Sequence, residues 1–92
     1  MAWIVNFSRK AHKQYVSLPA AIQDRFDALA AEIERLGPVR GNWKNYSKLT
    51  GNLHHCHIKT GRPTYVAVWE EIAGEIKLVE VQYVGTHEKA SY

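Results

Sequence analysis

Between Glu34 and Glu70 this chain has no acidic residue. Into that gap fall Arg35, Arg40, Lys44, Lys48, Lys59 and Arg62, together with the run His54-His55-Cys56-His57. The acids sit before the gap, at Asp24, Asp27, Glu32 and Glu34, or after it, at Glu70, Glu71, Glu75, Glu80 and Glu88. A formal net charge of only +3 therefore conceals a polarised chain whose natural partner is a polyanion. Cysteine is nearly absent as well. Cys56 stands alone, so no intrachain disulfide can form and a disulfide-stapled secreted fold is excluded. No stretch approaches the roughly 20 apolar residues of a spanning helix, and the first residues lack a basic segment followed by an apolar one. The expectation is a soluble, cytoplasmic protein with no membrane association.

What is present argues for one domain, residues 1–92, with a single modest core. Apolar residues make up 46% and aromatics 11%, too much for a disordered tail. Trp3 to Phe7 reads as a first strand. Ser8 suits the N-cap of a helix running to about Leu18, and Pro19 stops it and suits the first turn of the next. Ile22, Phe26, Leu29, Ile33 and Leu36 then recur at helical spacing, ended by Gly37-Pro38. Residues 37–52 are rich in Gly, Asn and Ser and read as a long loop, which Trp43, Tyr46 and Leu49 can pin to the body. Three strands are expected next, near 53–59, 63–70 and 75–84, with short turns between them. Short connections imply an antiparallel meander, with the two helices on one face. The fold class is α+β, in the order β-α-α-β-β-β.

Alternation along the first of those strands sorts its residues. His55, His57 and Lys59 share one face; His54, Cys56 and Ile58 share the other, which is the more apolar and should meet the helices. The same alternation speaks against zinc, since Cys56 points away from His55 and His57 and no second ligand pair with metal spacing occurs. A buried Cys56 is also a poor nucleophile. Neither a metal nor a small-molecule cofactor is expected.

Cutting RNA without a metal needs a base for the ribose 2′-hydroxyl, an acid for the departing 5′-oxygen, and cations for the crowded phosphorane. His55, His57, His87 and Tyr92 are the candidates for proton transfer. Lys59 and Arg62 are candidates for phosphate binding. Lys44 and Lys48 interleave with Trp43 and Tyr46, so one loop has both phosphate-binding and base-stacking groups. Each has a bland alternative: a solvated surface histidine, a loop anchor, a charged rim.

Three runs add a resemblance that covers essentially the whole chain. Gly41-Asn42-Trp43-Lys44-Asn45-Tyr46, Cys56-His57-Ile58 and Gly85-Thr86-His87 stand in the order of similar runs in the RelE/ParE superfamily of bacterial type II toxin–antitoxin systems. The RelE-like and YafQ-like branch is the nearest in pattern. This resemblance implies the RelE-like fold and a ribosome-dependent mRNA endoribonuclease, or mRNA interferase, that inhibits translation and is held inactive by a cognate antitoxin. It implies that His57 and His87 match the branch's two histidines and that Tyr92 is similar to its closing aromatic. Lys59 and Arg62 fall where the family places phosphate-binding groups. Two departures stand out: Thr60-Gly61-Arg62-Pro63 replaces a Pro-Asp-Trp run, and Tyr92 lies one step further from His87 than in the branch. A ParE-like inhibitor of DNA gyrase, or a degenerate member that only binds RNA or antitoxin, are the alternatives the resemblance leaves open.

Overall fold

The computed structural model describes residues 2–90. Strand β1 spans Ile4–Phe7, helix α1 Arg9–Val16 and helix α2 Ala20–Leu36. Strands β2 (Lys44–Lys48), β3 (Leu53–Lys59), β4 (Tyr65–Glu71) and β5 (Leu78–Thr86) follow, and a single 3-10 turn occupies His87–Lys89. The helix boundaries have local causes. Ser8 Oγ accepts a hydrogen bond from the Ala11 amide at 3.1 Å, satisfying one of the free donors of the first turn of α1. Gly37 ends α2 at φ 97°, and a Cβ there would lie 3.1 Å from Trp3 Nε1, so glycine serves both the turn and the close approach.

The five strands form one mixed sheet in the order β1-β5-β4-β3-β2. Strands β2 to β5 pair antiparallel, as short connections require. Strand β1 adds parallel to β5, with Ile4 opposite Leu78 and Phe7 opposite Val81. The meander and the helix pair are therefore as expected, with one correction. Residues 44–48, read as loop, form the edge strand β2. Its composition hid it: Lys44, Asn45, Ser47 and Lys48 are exposed, so no apolar alternation marks it. Asn45 at φ 55° and a shift of register between Lys44 and Ser47 make it irregular. Lysines on a bulged edge also discourage pairing with another sheet. The last strand runs to Thr86, two residues beyond the expected end.

Both helices lie on one side of the sheet. Ile22, Phe26, Leu29 and Ile33 of α2 pack with Cys56, Ile58, Ala67, Trp69, Val79, Val81 and Val84 in one core cluster. Each such side chain contributes roughly 1.5–3 kcal/mol when an aliphatic or aromatic group of this size is buried. Trp69 finds the partner its indole N–H needs in the Pro38 carbonyl, at 3.0 Å. His55 and His57 lie on the opposite face, beside Val68 and Val66 of β4. No helix among the described residues is long and apolar enough to cross a membrane.

Candidate functional site

Strand β3 alternates in burial along its whole length, and the alternation separates its histidines. His54 is fully buried on the helix side. Its Nδ1 accepts from the Tyr46 hydroxyl at 2.7 Å, its Nε2 meets Glu71 Oε1 at 3.0 Å, and its ring stacks on Trp69 with planes 5° apart. Because a phenol donates and a carboxylate accepts, these partners fix Nε2 as the protonated nitrogen. Burial holds His54 below its ordinary value of 6.5, against the pull of Glu71. This histidine is structural.

On the other, open face three imidazoles gather. The rings of His55 and His57 are 6.3 Å apart, and the ring of His87 lies 5.6 Å from that of His57. His87 is brought there by the end of β5: its amide donates to the Thr64 carbonyl at 2.8 Å, closing the 61–64 turn onto the 3-10 turn. Tyr83 steadies the same place by donating its hydroxyl to the Thr86 carbonyl at 2.7 Å. A Cβ on Gly85 would stand 2.8 Å from that hydroxyl, so glycine leaves room for the bond that holds the residue before His87. A cavity of about 500 Å³ opens between the two turns, lined by His57, Arg62, Pro63, Thr64, His87 and Glu88, with Gly61 at its edge. His57 is held below its ordinary 6.5, first by partial burial and then by His87, His55 and Lys44. At neutral pH it is therefore an unprotonated imidazole beside cations, the state a general base requires.

A second cavity of about 440 Å³ continues on the other side of His57 and has Arg25, Lys44, Lys59 and Glu32 in its wall. Strand pairing sets Lys44 opposite His57. Glu32 organises the loop that leads there. Its Oε1 accepts from Asn42 Nδ2 at 2.9 Å, Trp43 Nε1 at 3.0 Å and Arg40 Nη1 at 3.1 Å. Those donors, Asn42 foremost, hold Glu32 below the usual carboxylate range although burial opposes them.

The structure thus brings together His55, His57, His87, Lys44, Lys59 and Arg62. It sets Lys48 apart, opposite His54 at the far end of β2. It also places Trp43 and Tyr46, which the sequence offered both as pins of the loop and as candidates for base stacking, as loop anchors: the Trp43 indole is bound to Glu32, the Tyr46 hydroxyl to His54, and both pack against the core. Tyr92 lies outside the described residues. Cys56 is fully buried on the helix side, and burial pushes its thiol up to about 12. Among the described residues no group of three or more His, Cys, Asp and Glu could hold a metal. Glu32 and Glu88 are the residues that the sequence reading missed. Both enter the acid-poor site from outside the segment 35–69, and no local pattern signals either.

Solved structures share this fold. Isolated Escherichia coli RelE toxin superposes with a TM-score of 0.74 at 20% identity, covering 97% of this chain and 88% of that one. The RelE-like fold is what this chain has. The archaeal RelE of the Pyrococcus horikoshii RelE–RelB complex gives 0.71 at 18% identity over 98% of this chain and all of its own. Staphylococcus aureus YoeB, solved as a dimer, gives 0.71 at 16% identity, covering 95% of this chain and 99% of that one. No protein-family model matches the sequence, and no curated protein does. At these identities the RelE-like likeness is one of fold, so chemistry has to be argued from the chain's own residues.

Proposed function

We propose that this chain is the toxin of a type II toxin–antitoxin system and cleaves messenger RNA on the ribosome. The observation that carries the reading is the pair His57 and His87, ring to ring at 5.6 Å in one open cavity walled by Arg62. Lys44 and Lys59 line the cavity on the other side of His57. His57, held neutral, takes the proton of a ribose 2′-hydroxyl. The oxygen attacks the adjacent phosphorus, the bond to the 5′-oxygen breaks, and His87 gives that oxygen its proton. The products are a 2′,3′-cyclic phosphate and a free 5′-hydroxyl. Lys44, Lys59 and Arg62 stabilise the extra negative charge of the phosphorane. His55, next to His57, completes the imidazole row.

So few groups, none of them a metal ligand set, gain much of their rate from a messenger held in a reactive bend, and the ribosome supplies that constraint. The support for an antitoxin partner is that RelE neighbours were solved in toxin–antitoxin complexes, including the intact E. coli RelBE complex. An acidic antitoxin segment complements the cationic surface seen here.

Induction of the wild-type chain in bacteria is the test. Growth arrest with an early halt in protein synthesis and cut transcripts supports the reading, and His57→Ala and His87→Ala each abolish it. Arrest that persists undiminished in both variants, or an early halt in DNA synthesis instead, rejects it.

A further inference from the structure

The three donors around Glu32 converge on one of its two oxygens. Asn42 Nδ2, Trp43 Nε1 and Arg40 Nη1 all bond Oε1, between 2.9 and 3.1 Å. No described residue donates to Oε2, and since no buried side-chain oxygen among them lacks a partner, Oε2 is an acceptor open to solvent. The side chain is 24% exposed and lines the cavity of about 440 Å³ beside His57. Asn42 first, then Trp43 and Arg40, hold it below the usual carboxylate range, so it is an anion at neutral pH. A carboxylate is a poor wall for a site that meets only phosphates, and the loop accounts for Oε1 alone. Seven residues earlier on α2 stands Arg25, two turns away on the same face and about 10 Å along the axis, in the wall of the same cavity. Arg25 is exposed, and one of its five donors, on Nη1, reaches the carbonyl of Ile58, the neighbour of His57, at 3.4 Å. The cavity therefore presents an acceptor at one end and a planar donor fork at the other.

We propose that this cavity is a guanine subsite, in which Glu32 Oε2 accepts from N1–H and the N2 amine while Arg25 donates to O6 and N7. Of the four bases, guanine alone carries two adjacent donors beside two adjacent acceptors, and an arginine fork suits the acceptor pair. Adenine and cytosine set a ring acceptor next to their amino group, where it would face the carboxylate. Uracil flanks its single ring donor with two carbonyls. The two cavities that meet at His57 give the subsite a direction. His57 takes the proton of the attacking 2′-hydroxyl, so the nucleotide that carries this hydroxyl lies on the Glu32 side and the leaving nucleotide lies at His87. Lys44 and Lys59, in the same wall as Glu32, meet the phosphate between them. Scission then falls on the 3′ side of guanosine. That direction rests on the ribonuclease reading, whereas the base preference can be measured without any cleavage.

Nucleoside 3′-monophosphates are the probes, because their shared phosphate leaves the base as the only difference. They are titrated into the full chain and followed by calorimetry and by amide and indole chemical shifts. Guanosine 3′-monophosphate is expected to bind about tenfold more tightly than the adenosine, cytidine and uridine forms, with shifts at Glu32, Asn42 and the Trp43 indole. Inosine 3′-monophosphate, which lacks the N2 amine, is expected to bind at least about threefold more weakly than the guanosine form. Glu32→Gln tests the residue. Its amide has to turn oxygen toward the same three donors, which sets an NH₂ group where Oε2 stood, against guanine's own donors. Guanosine binding is expected to fall at least about tenfold while the other three change less than about twofold. A role confined to holding the loop would weaken all four alike. Equal affinity of the wild type for the four nucleotides, inosine binding as tightly as guanosine, a uniform loss in Glu32→Gln, or no saturation at millimolar nucleotide would overturn the proposal. The wild-type comparisons decide it even if the variant does not fold. Guanine preference alongside full toxicity of His57→Ala and His87→Ala would keep the subsite and reject the ribonuclease reading; toxicity lost in both, with no base preference, would do the reverse.

Discussion

His54 and His57 belong to one strand and differ in almost everything that matters chemically. His54 is enclosed, with a phenol on one ring nitrogen, a carboxylate on the other and an indole against its face. His57 looks onto an open cavity and meets two further imidazoles and a lysine strand partner. Both are held below 6.5, and burial is the leading cause in each. A lowered value therefore does not by itself mark a catalytic group. What separates the two is access: the proton on His54 is committed to fixed partners, whereas the ring of His57 can exchange one with a substrate.

The comparison can be broken at several points. Removing His57 or His87 by alanine is expected to cost roughly 10²–10⁴ in cleavage rate, the range for one general acid or base, while changing stability by no more than about 0.5 kcal/mol. His54→Ala is expected to do the opposite. It leaves Tyr46 and Glu71 without their partner and opens a cavity under Trp69, at about 2–4 kcal/mol, read as a fall in Tm of roughly 10–25 °C. Equal loss of stability in the two classes of variant would erase the distinction drawn here.

Glu32→Ala sharpens the boundary between scaffold and site. Its oxygen holds Arg40, Asn42 and Trp43 together, so its loss is expected to destabilise by about 1–3 kcal/mol and to lower cleavage through a displaced Lys44. Normal activity in a folded Glu32→Ala protein would show that the loop positions itself.

Acid separates the histidines more finely. Folded His54 and His57 resist protonation below 6.5 while the unfolded chain takes up protons there. Stability is thus full above about 6.5 and declines as pH falls below it. In His54→Gln that decline should be shallower, measured as Tm against pH. Cleavage by the still-folded wild type should fall over the same acid range as His57 gains its proton. The smallest effect is expected at Lys48, which stands beside His54 rather than His57: Lys48→Ala should change cleavage less than about twofold, against a loss on the order of 10²-fold for Lys44→Ala.

Much of this was open to a reader of the residues alone. The helical spacing of Ile22, Phe26, Leu29 and Ile33 survives as the core face of α2, because period 3.6 needs no knowledge of what packs against it. Alternation in β3 put His54 and Cys56 inside and His55 and His57 outside. Strand β2 escaped notice because an edge strand with one inward tyrosine carries no apolar period. That Trp43 and Tyr46 could pin their loop was legible, but base stacking stayed open beside it because their anchors, Glu32 and His54, lie on other elements.

The sequence by itself determined where positive charge gathers, which faces of the helices and of β3 are apolar, and that no disulfide holds the chain. These follow from residue type and local spacing. Tertiary structure alone decided that His87 meets His57 and that Glu32 and Glu88 enter an acid-poor site. Such facts depend on strand order and on distances between residues remote in the chain, and nothing in a local period encodes either.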